Sequence, residues 1–415
     1  MQPLATSARA AALAALCSLF AAGAFAGEIH VLLGVDPADS TGDVLLSASL
    51  APAQSLTKAT GQRTTVAQTA TMAEVMRASR TVENEIIIAP AHVTASAILH
   101  AYQLLATSGQ DQVYALVVRN DIEKVEQLPG KRLYLPQQDS LRSYVAKGLL
   151  TEANVKLAQF SKVTYGNTSG GGLVALAFDM ADVTVADEAQ AKEWLASHPG
   201  QARILKTTRP VPGGMNMVVR KDFCATECGR LADWVNSPDG AIPGVGRFRL
   251  ASADATKQFT YVASLGIATP EAINGVTRVS AEQVAELGKQ GVTIVDTRSK
   301  NEYENEHIRG AVLASYAEKS LKEIDFDGKR DDFSALKNFA KDKPIVFLCN
   351  GPECWKSYKA SRTALAEGYT KIYWFRGGMP EWREKHLPVE GTSGAAVATK
   401  PAAPSPVHGK SVAAR

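Results

Sequence analysis

Charge of either sign is not in excess: 45 lysines and arginines against 42 aspartates and glutamates leave a formal +3 over 415 residues. That balance gives no global case for nucleic acid or an acidic membrane surface as a partner. Cysteine is scarce, at five residues, and no Cys-x-x-Cys or His-x-x-x-His accompanies the seven scattered histidines. No metal site is therefore expected, and no cofactor. The Gly-x-x-x-x-Gly-Lys loop of nucleotide-binding proteins is missing, and nothing repeats with a solenoid period. After residue 26 no stretch is long and apolar enough to cross a membrane. The 45% hydrophobic content excludes a chain disordered throughout, and the length allows two or three domains.

Residues 1–26 carry Arg9, an apolar run from Ala10 to Phe25 and the small-residue ending Ala24-Phe25-Ala26. This reads as a secretory signal peptide cleaved before Gly27, which places the mature protein in an oxidising, periplasmic space. A membrane anchor is the weaker alternative, because the run is short and alanine-rich. Leu16 is too large for the residue preceding a lipidated cysteine at Cys17. Without Cys17, two close pairs remain, Cys224 with Cys228 and Cys349 with Cys354. A structural disulfide is expected for the first pair, with free thiols the alternative, since a helical i, i+4 pair needs local distortion to close. Residues 392–415, small, Pro-rich and basic, are expected to be a disordered tail.

Chemistry concentrates at KPIVFLCNGPECWKS, residues 343–357. Pro344 to Leu348 has the β-branched and aromatic content of a buried strand, and Ser357 to Glu367 reads as a helix. Cys349 would then lie over loop amides at the positive end of a helix dipole, a setting that favours thiolate. A buried strand-end cysteine, or a disulfide with Cys354, is the plain alternative.

Upstream lies TIVDTRSKNEYENEHIRGAV (293–312) and downstream GYTKIYWFRGGMPEW (368–382). With these three stretches in this order, residues from about 278 to 391 resemble the rhodanese superfamily of sulfurtransferases. Asp296 and Arg298 fit the family's Asp-x-Arg, Glu302 and Tyr303 its acidic-aromatic step, and His307, Ile308, Gly310 and Ala311 its His-Ile-x-Gly-Ala turn. Gly377, Gly378 and Trp382 fit the closing Gly-Gly-x-x-x-Trp. Glu306 stands where glycine is usual, and the loop, about two residues longer than the family's common six, holds Glu353 and a second cysteine. The resemblance implies that Cys349 carries a persulfide between a small sulfur donor and an acceptor. The loop from Asn350 and Gly351 through Trp355, with Ser357 at the helix start, would stabilise it, Lys356 would add the only positive side chain of the loop region, and Asp296 and Arg298 would buttress the loop. Cys354 is a candidate resolving thiol, and Trp355 either covers the persulfide or packs. An exported sulfurtransferase is therefore expected. The rivals are a solute-binding protein with a non-catalytic rhodanese-like module and, disfavoured by the lack of an arginine at the loop's end, a phosphatase-like site.

Between residues 27 and 274, strand-like runs (IHVLLGV, TTVAQTA, NEIIIAP, YALVVR, KRLYLP, DVTVAD, MNMVVR) alternate with amphipathic stretches. This predicts an α/β domain of mainly parallel sheets, divided into two lobes. LAPAQSLTKATGQRTTV, EIIIAPAHV, the segment from Tyr114 to Leu150 and PVPGGMNMVVRKDF together resemble the phosphate- and phosphonate-type solute-binding proteins of ABC transporters. A small anionic ligand and an ABC permease partner are what the resemblance implies. Where that family has a Ser-Thr-Ser turn, this chain has Gln138-Asp139-Ser140-Leu141-Arg142-Ser143: Asp139 would repel a phosphonate, while Arg142 can pair with an anion. Ser140 and Ser143 are candidate ligand groups, as is the loop of Asn167, Thr168, Ser169 and Gly170 to Gly172, whose plain reading is a flexible turn. His92, after the strand EIIIA, is more often a satisfied loop histidine than a ligand. The expected architecture is thus a two-lobed periplasmic-binding-protein-like α/β domain (27–274) followed by a rhodanese-like α/β domain (275–391), the two in contact across a short connection.

Overall fold

The computed structural model describes residues 27–36, 50–166, 168, 170–252 and 254–392. The expected signal peptide at 1–26, the expected tail beyond Thr392, Asn167 and Ser169 lie outside them. The chain begins β1 (Glu28–Gly34), α1 (Leu50–Thr60), β2 (Arg63–Thr69), α2 (Met72–Thr81), β3 (Ile86–Ala89), α3 (Ala91–Ile98) and β4 (Tyr102–Thr107). It crosses to a second sheet through β5 (Tyr114–Arg119), β6 (Arg132–Pro136), α4 (Leu141–Glu152), β7 (Lys162–Gly166), α5 (Gly171–Ala177), β8 (Val183–Asp187), α6 (Glu188–Ser197) and β9 (Ala202–Thr207). It returns as β10 (Asn216–Arg220), α7 (Lys221–Asn236), β11 (Ala241–Ile242), β12 (Gly246–Arg247), β13 (Arg249–Leu250) and α8 (Ala255–Ala263).

The first lobe has strand order β13-β4-β10-β3-β1-β2 and the second β7-β6-β8-β5-β9. Ile86, Ile87 and Ile88 are wholly buried, as β-branched residues are in a strand covered on both faces. The sheets are mixed and not mainly parallel: β10 runs antiparallel to β3 and β4, and β5 to β8 and β9. The physical reason is the crossing, since a strand arriving from the other lobe enters its sheet from the end opposite to strands fed by local βα units. Cys224 and Cys228 in α7 form the expected disulfide, with Cα atoms 4.5 Å apart.

Residues 264–276 lead into β14 (Thr277–Arg278), α9 (Ala281–Lys289), β15 (Thr293–Asp296), α10 (Lys300–Asn305), β16 (His307–Ile308), β17 (Val312–Leu313), β18 (Ile345–Leu348), α11 (Trp355–Ala366), β19 (Ile372–Phe375), α12 (Gly378–Glu384) and β20 (Val389–Glu390). The sheet order β14-β19-β18-β15-β17 is parallel throughout and puts β18 at its centre. Helix α10 starts at a capping box: Ser299 accepts from the Glu302 N–H, and the Glu302 carboxylate accepts from Ser299 N–H at 3.1 Å.

This domain touches both lobes. On the first-lobe side His100 meets Glu353 at 3.1 Å. On the second-lobe side Lys322 donates to Asp139 at 2.5 Å and Lys156 to Asp325 at 2.7 Å. Thr269 donates to the Pro352 carbonyl at 2.8 Å, and the Trp355 indole N–H to that of Ile267 at 3.3 Å. Among the described residues no helix is long and apolar enough to cross a membrane.

Candidate functional site

Strand β18 is buried at all four positions and delivers Cys349, 1% exposed, at its end. Its parallel neighbour β15 sets Asp296 beside Leu348, so the first turn after β15 underlies the cysteine loop. Thr297 donates to the Leu348 carbonyl at 2.7 Å. Arg298 grips Asp296 through Nε and a terminal nitrogen, the latter at 2.6 Å, and reaches the Glu306 carbonyl at 2.7 Å. Its other terminal nitrogen approaches Asn350 Oδ1 at 3.4 Å, while the Asn350 amide donates to Glu302 at 2.5 Å. Asp296 and Arg298 are both buried and act on the loop through Asn350. Burial raises the Glu302 pKa, yet hydrogen bonds from Ser299 and the charge of Arg298 hold it below the usual range.

The far side of the loop is fixed by glycine. Gly378 adopts a left-handed backbone (φ +56°), and a Cβ there would lie 2.1 Å from the Cys349 carbonyl oxygen, which instead accepts from Met379 N–H at 3.0 Å. Gly351 also has positive φ (+88°), and the Cys354 N–H closes a turn on its carbonyl at 3.0 Å. Helix α11 therefore starts at Trp355, two residues before the expected Ser357. Trp355 is buried against Tyr358, and Ser357, also buried, accepts from the Trp374 indole at 3.1 Å. Cys349 and Cys354 are joined in a disulfide. The Glu306 departure has an owner in Arg383, whose Nε donates to it at 2.5 Å.

Above the loop opens a cleft of about 370 Å³ lined by both domains. The rhodanese-like side contributes Cys349, Asn350, Glu353, Cys354 and Lys356, and the N-terminal side Arg77, Arg80 and Asp139. Glu353 is buried; burial pushes its pKa up, but the hydrogen bond and charge of His100 bring it below the ordinary carboxylate range. Asp139, against which burial also works, is pulled down to about 2 by Lys322 and accepts from the Tyr144 hydroxyl at 2.7 Å. This accounts for an acid where the resemblance implied an anion-binding turn: Asp139 serves the domain contact. His100, Arg77, Arg80 and Lys322 escaped sequence reasoning, because no local pattern links residues as far apart as His100 and Glu353 (253 positions) or Asp139 and Lys322 (183); the misfit acids Asp139 and Glu353 were the available signal.

A second cleft, about 340 Å³, lies between the lobes and is lined among others by Asp36, Pro90, Tyr114, Arg142, Asp187 and Gly213 to Met215. Of the expected ligand groups only Arg142 is on its wall. Ser140 is the N-cap of α4, accepting from Ser143 N–H at 3.2 Å, and the Ser143 hydroxyl donates to the Gln137 carbonyl at 2.8 Å. His92 is wholly buried in α3 against Tyr144; burial drives its pKa down to about 4 against the opposing charge and backbone of Asp139. Thr168 is exposed on the turn before α5, outside the residues lining this cleft. Among the described residues no group of three His, Cys, Asp or Glu is placed to hold a metal ion.

Comparison with known proteins follows the same division. Residues 280–385 match the family model of the rhodanese-like domain, and residues 38–234 that of the ABC transporter phosphonate periplasmic substrate-binding protein. An HTH-type transcriptional regulator of Mycobacterium tuberculosis is 28% identical over 155 residues, 34% of this chain and 62% of its own, so the chain spans less than two thirds of that relative's length. A Xanthomonas citri protein solved with ATP superposes with a TM-score of 0.46 at 12% identity, covering 57% of this chain and 96% of that one. A Prochlorococcus marinus protein in complex with methylphosphonate gives 0.44 at 12% identity, covering 58% and 97%. The chain joins a domain of the phosphonate type of periplasmic substrate-binding proteins to a rhodanese-like domain that carries Cys349.

Proposed function

We propose that this is an exported sulfurtransferase whose Cys349 carries a persulfide, fused to a domain that captures a small anion between its lobes. The observation that supports it most is the framework around Cys349: a strand-end cysteine in a rhodanese-like domain, with Asp296, Arg298 and Asn350 holding the loop. In this reading a dithiol first reduces the Cys349–Cys354 disulfide and is itself oxidised. The Cys349 thiolate then attacks the outer sulfur of a donor such as thiosulfate; the donor S–S bond breaks, sulfite leaves with its electron pair, and Cys349 holds the persulfide. A nucleophilic acceptor such as cyanide takes the outer sulfur and regenerates the thiolate. Cys354 is the resolving thiol: its attack on the inner persulfide sulfur expels sulfide and restores the disulfide. The periplasmic family of the N-terminal domain supports export and an ABC permease as partner.

The disulfide itself favours a second reading, a solute-binding protein whose rhodanese-like module transfers no sulfur. Thiosulfate-to-cyanide transfer by the full chain, assayed before and after reduction, separates the two. The sulfurtransferase reading expects turnover that appears on reduction, with a 32 Da adduct on Cys349. No turnover and no adduct in the reduced protein would leave the binding-protein reading.

A further inference from the structure

The cleft over Cys349 is walled by several cations, and most are already engaged. Arg77 is bound to Glu83 by two hydrogen bonds, at 2.8 and 3.2 Å. Arg298 is taken by Asp296, and Lys322 by Asp139. On the acidic side, Glu353 is paired with His100, and Glu302 accepts from Ser299 and Asn350. Arg80, from α2 of the N-terminal domain, makes no ion pair among the described residues, although its charge helps to hold the Glu353 pKa down. It is 7% exposed, lines the cleft, and its buried Nε has no hydrogen-bond partner. The Nε is closed off from the cleft, so only the terminal nitrogens of this guanidinium are placed to meet a ligand there, and a cation held out of water is costly without an anion beside it. Lys356, across the cleft on the rhodanese-like side, makes no ion pair among the described residues.

We propose that Arg80 is the specificity-determining residue of the Cys349 site, binding the oxyanion end of a donor of the thiosulfonate class, with thiosulfate its smallest member. The inference rests on the sulfurtransferase reading for the identity of the donor. A planar fork of N–H donors suits two oxygens of one tetrahedral SO₃ group, which Lys356 meets as a point charge. Held there, the oxyanion end leaves the outer sulfur as the part of the donor free to face Cys349. The sulfur site is then a joint product of the two domains, and the N-terminal one supplies a substrate-binding residue outside its own lobe cleft.

The test uses the full chain after reduction. Thiosulfate affinity is measured by calorimetry in Cys349→Ser, which cannot take up sulfur, with and without Arg80→Gln, Arg80→Lys or Arg77→Gln. Thermal melting of each variant monitors folding. Arg80→Gln should weaken binding about tenfold or more, Arg80→Lys less, and Arg77→Gln under twofold, as roughly one charge-assisted pair predicts. With Cys349 present, KM for thiosulfate should rise by the same factor while kcat and the cyanide dependence stay within about threefold. Binding that depends on Arg80 in a protein without turnover would retain the anion site and reject the reaction. Unchanged affinity in Arg80→Gln, or equal loss in Arg77→Gln, would overturn the proposal.

Discussion

The two clefts differ in how their charges are disposed. The lobe cleft carries Asp36 and Asp187 on its wall beside Arg142, and its expected serines are spent on capping α4. In the cysteine cleft Asp139, Glu318 and Glu353 are paired with Lys322, Lys359 and His100, Glu302 is held by Ser299 and Asn350, and Arg80 and Lys356 carry no ion pair among the described residues. A helix N-terminus that looks made for an oxyanion can thus be consumed by its own caps.

The sharpest break in that comparison is Cys349→Ser. Sulfur transfer should fall roughly a hundredfold or more while any ligand of the lobe cleft binds as before, and Cys354→Ser should retain transfer without prior reduction. Equal loss in both variants would show a working dithiol. Next in size is Asp296→Ala, which strands the buried Arg298 and should cost about 3–5 kcal/mol in urea unfolding; replacing both by Leu and Met should recover much of it.

Acid should separate the regions in stages. His92 has a folded pKa of about 4 against an ordinary 6.5, so the unfolded chain takes up its proton first. Native stability should decline by about 3 kcal/mol as pH falls from 6.5 to 4, and His92→Phe should flatten that limb. Asp139, folded pKa about 2, stays charged longer than in the unfolded chain. Its contribution should be complete above pH 3.8 and vanish as pH falls through 2, and Lys322→Met should remove it. A further effect belongs to the lobe cleft: a hundredfold excess of a true ligand over its Kd adds about 2.7 kcal/mol, read as a melting shift across a panel of oxyanions, and Arg142→Ala should abolish that shift.

The rhodanese-like domain was largely legible because its framework is local: Asp296 and Arg298 are two residues apart, and Gly378 declares the backbone it needs. The lobes were legible as strands and helices, except β4 and β9, whose mixed burial patterns blur the period-two signal, and β11 to β13, which at two residues each carry no period. Strand direction was not, since it depends on where the chain crosses. Least legible was the meeting of the domains. Glu353 and Asp139 read as oddities until His100 and Lys322 stood beside them.

That the C-terminal domain grips both lobes bears on mechanics. A two-lobed binder ordinarily bends about its crossover strands alone, with nothing spanning the gap. Here His100–Glu353 and Asp139–Lys322 fasten the C-terminal domain to both jaws, so wide gaping must break at least one clasp. One of the two clasps, Glu353, sits in the loop between Cys349 and Cys354, so the hold on the first lobe and the disulfide share one short segment.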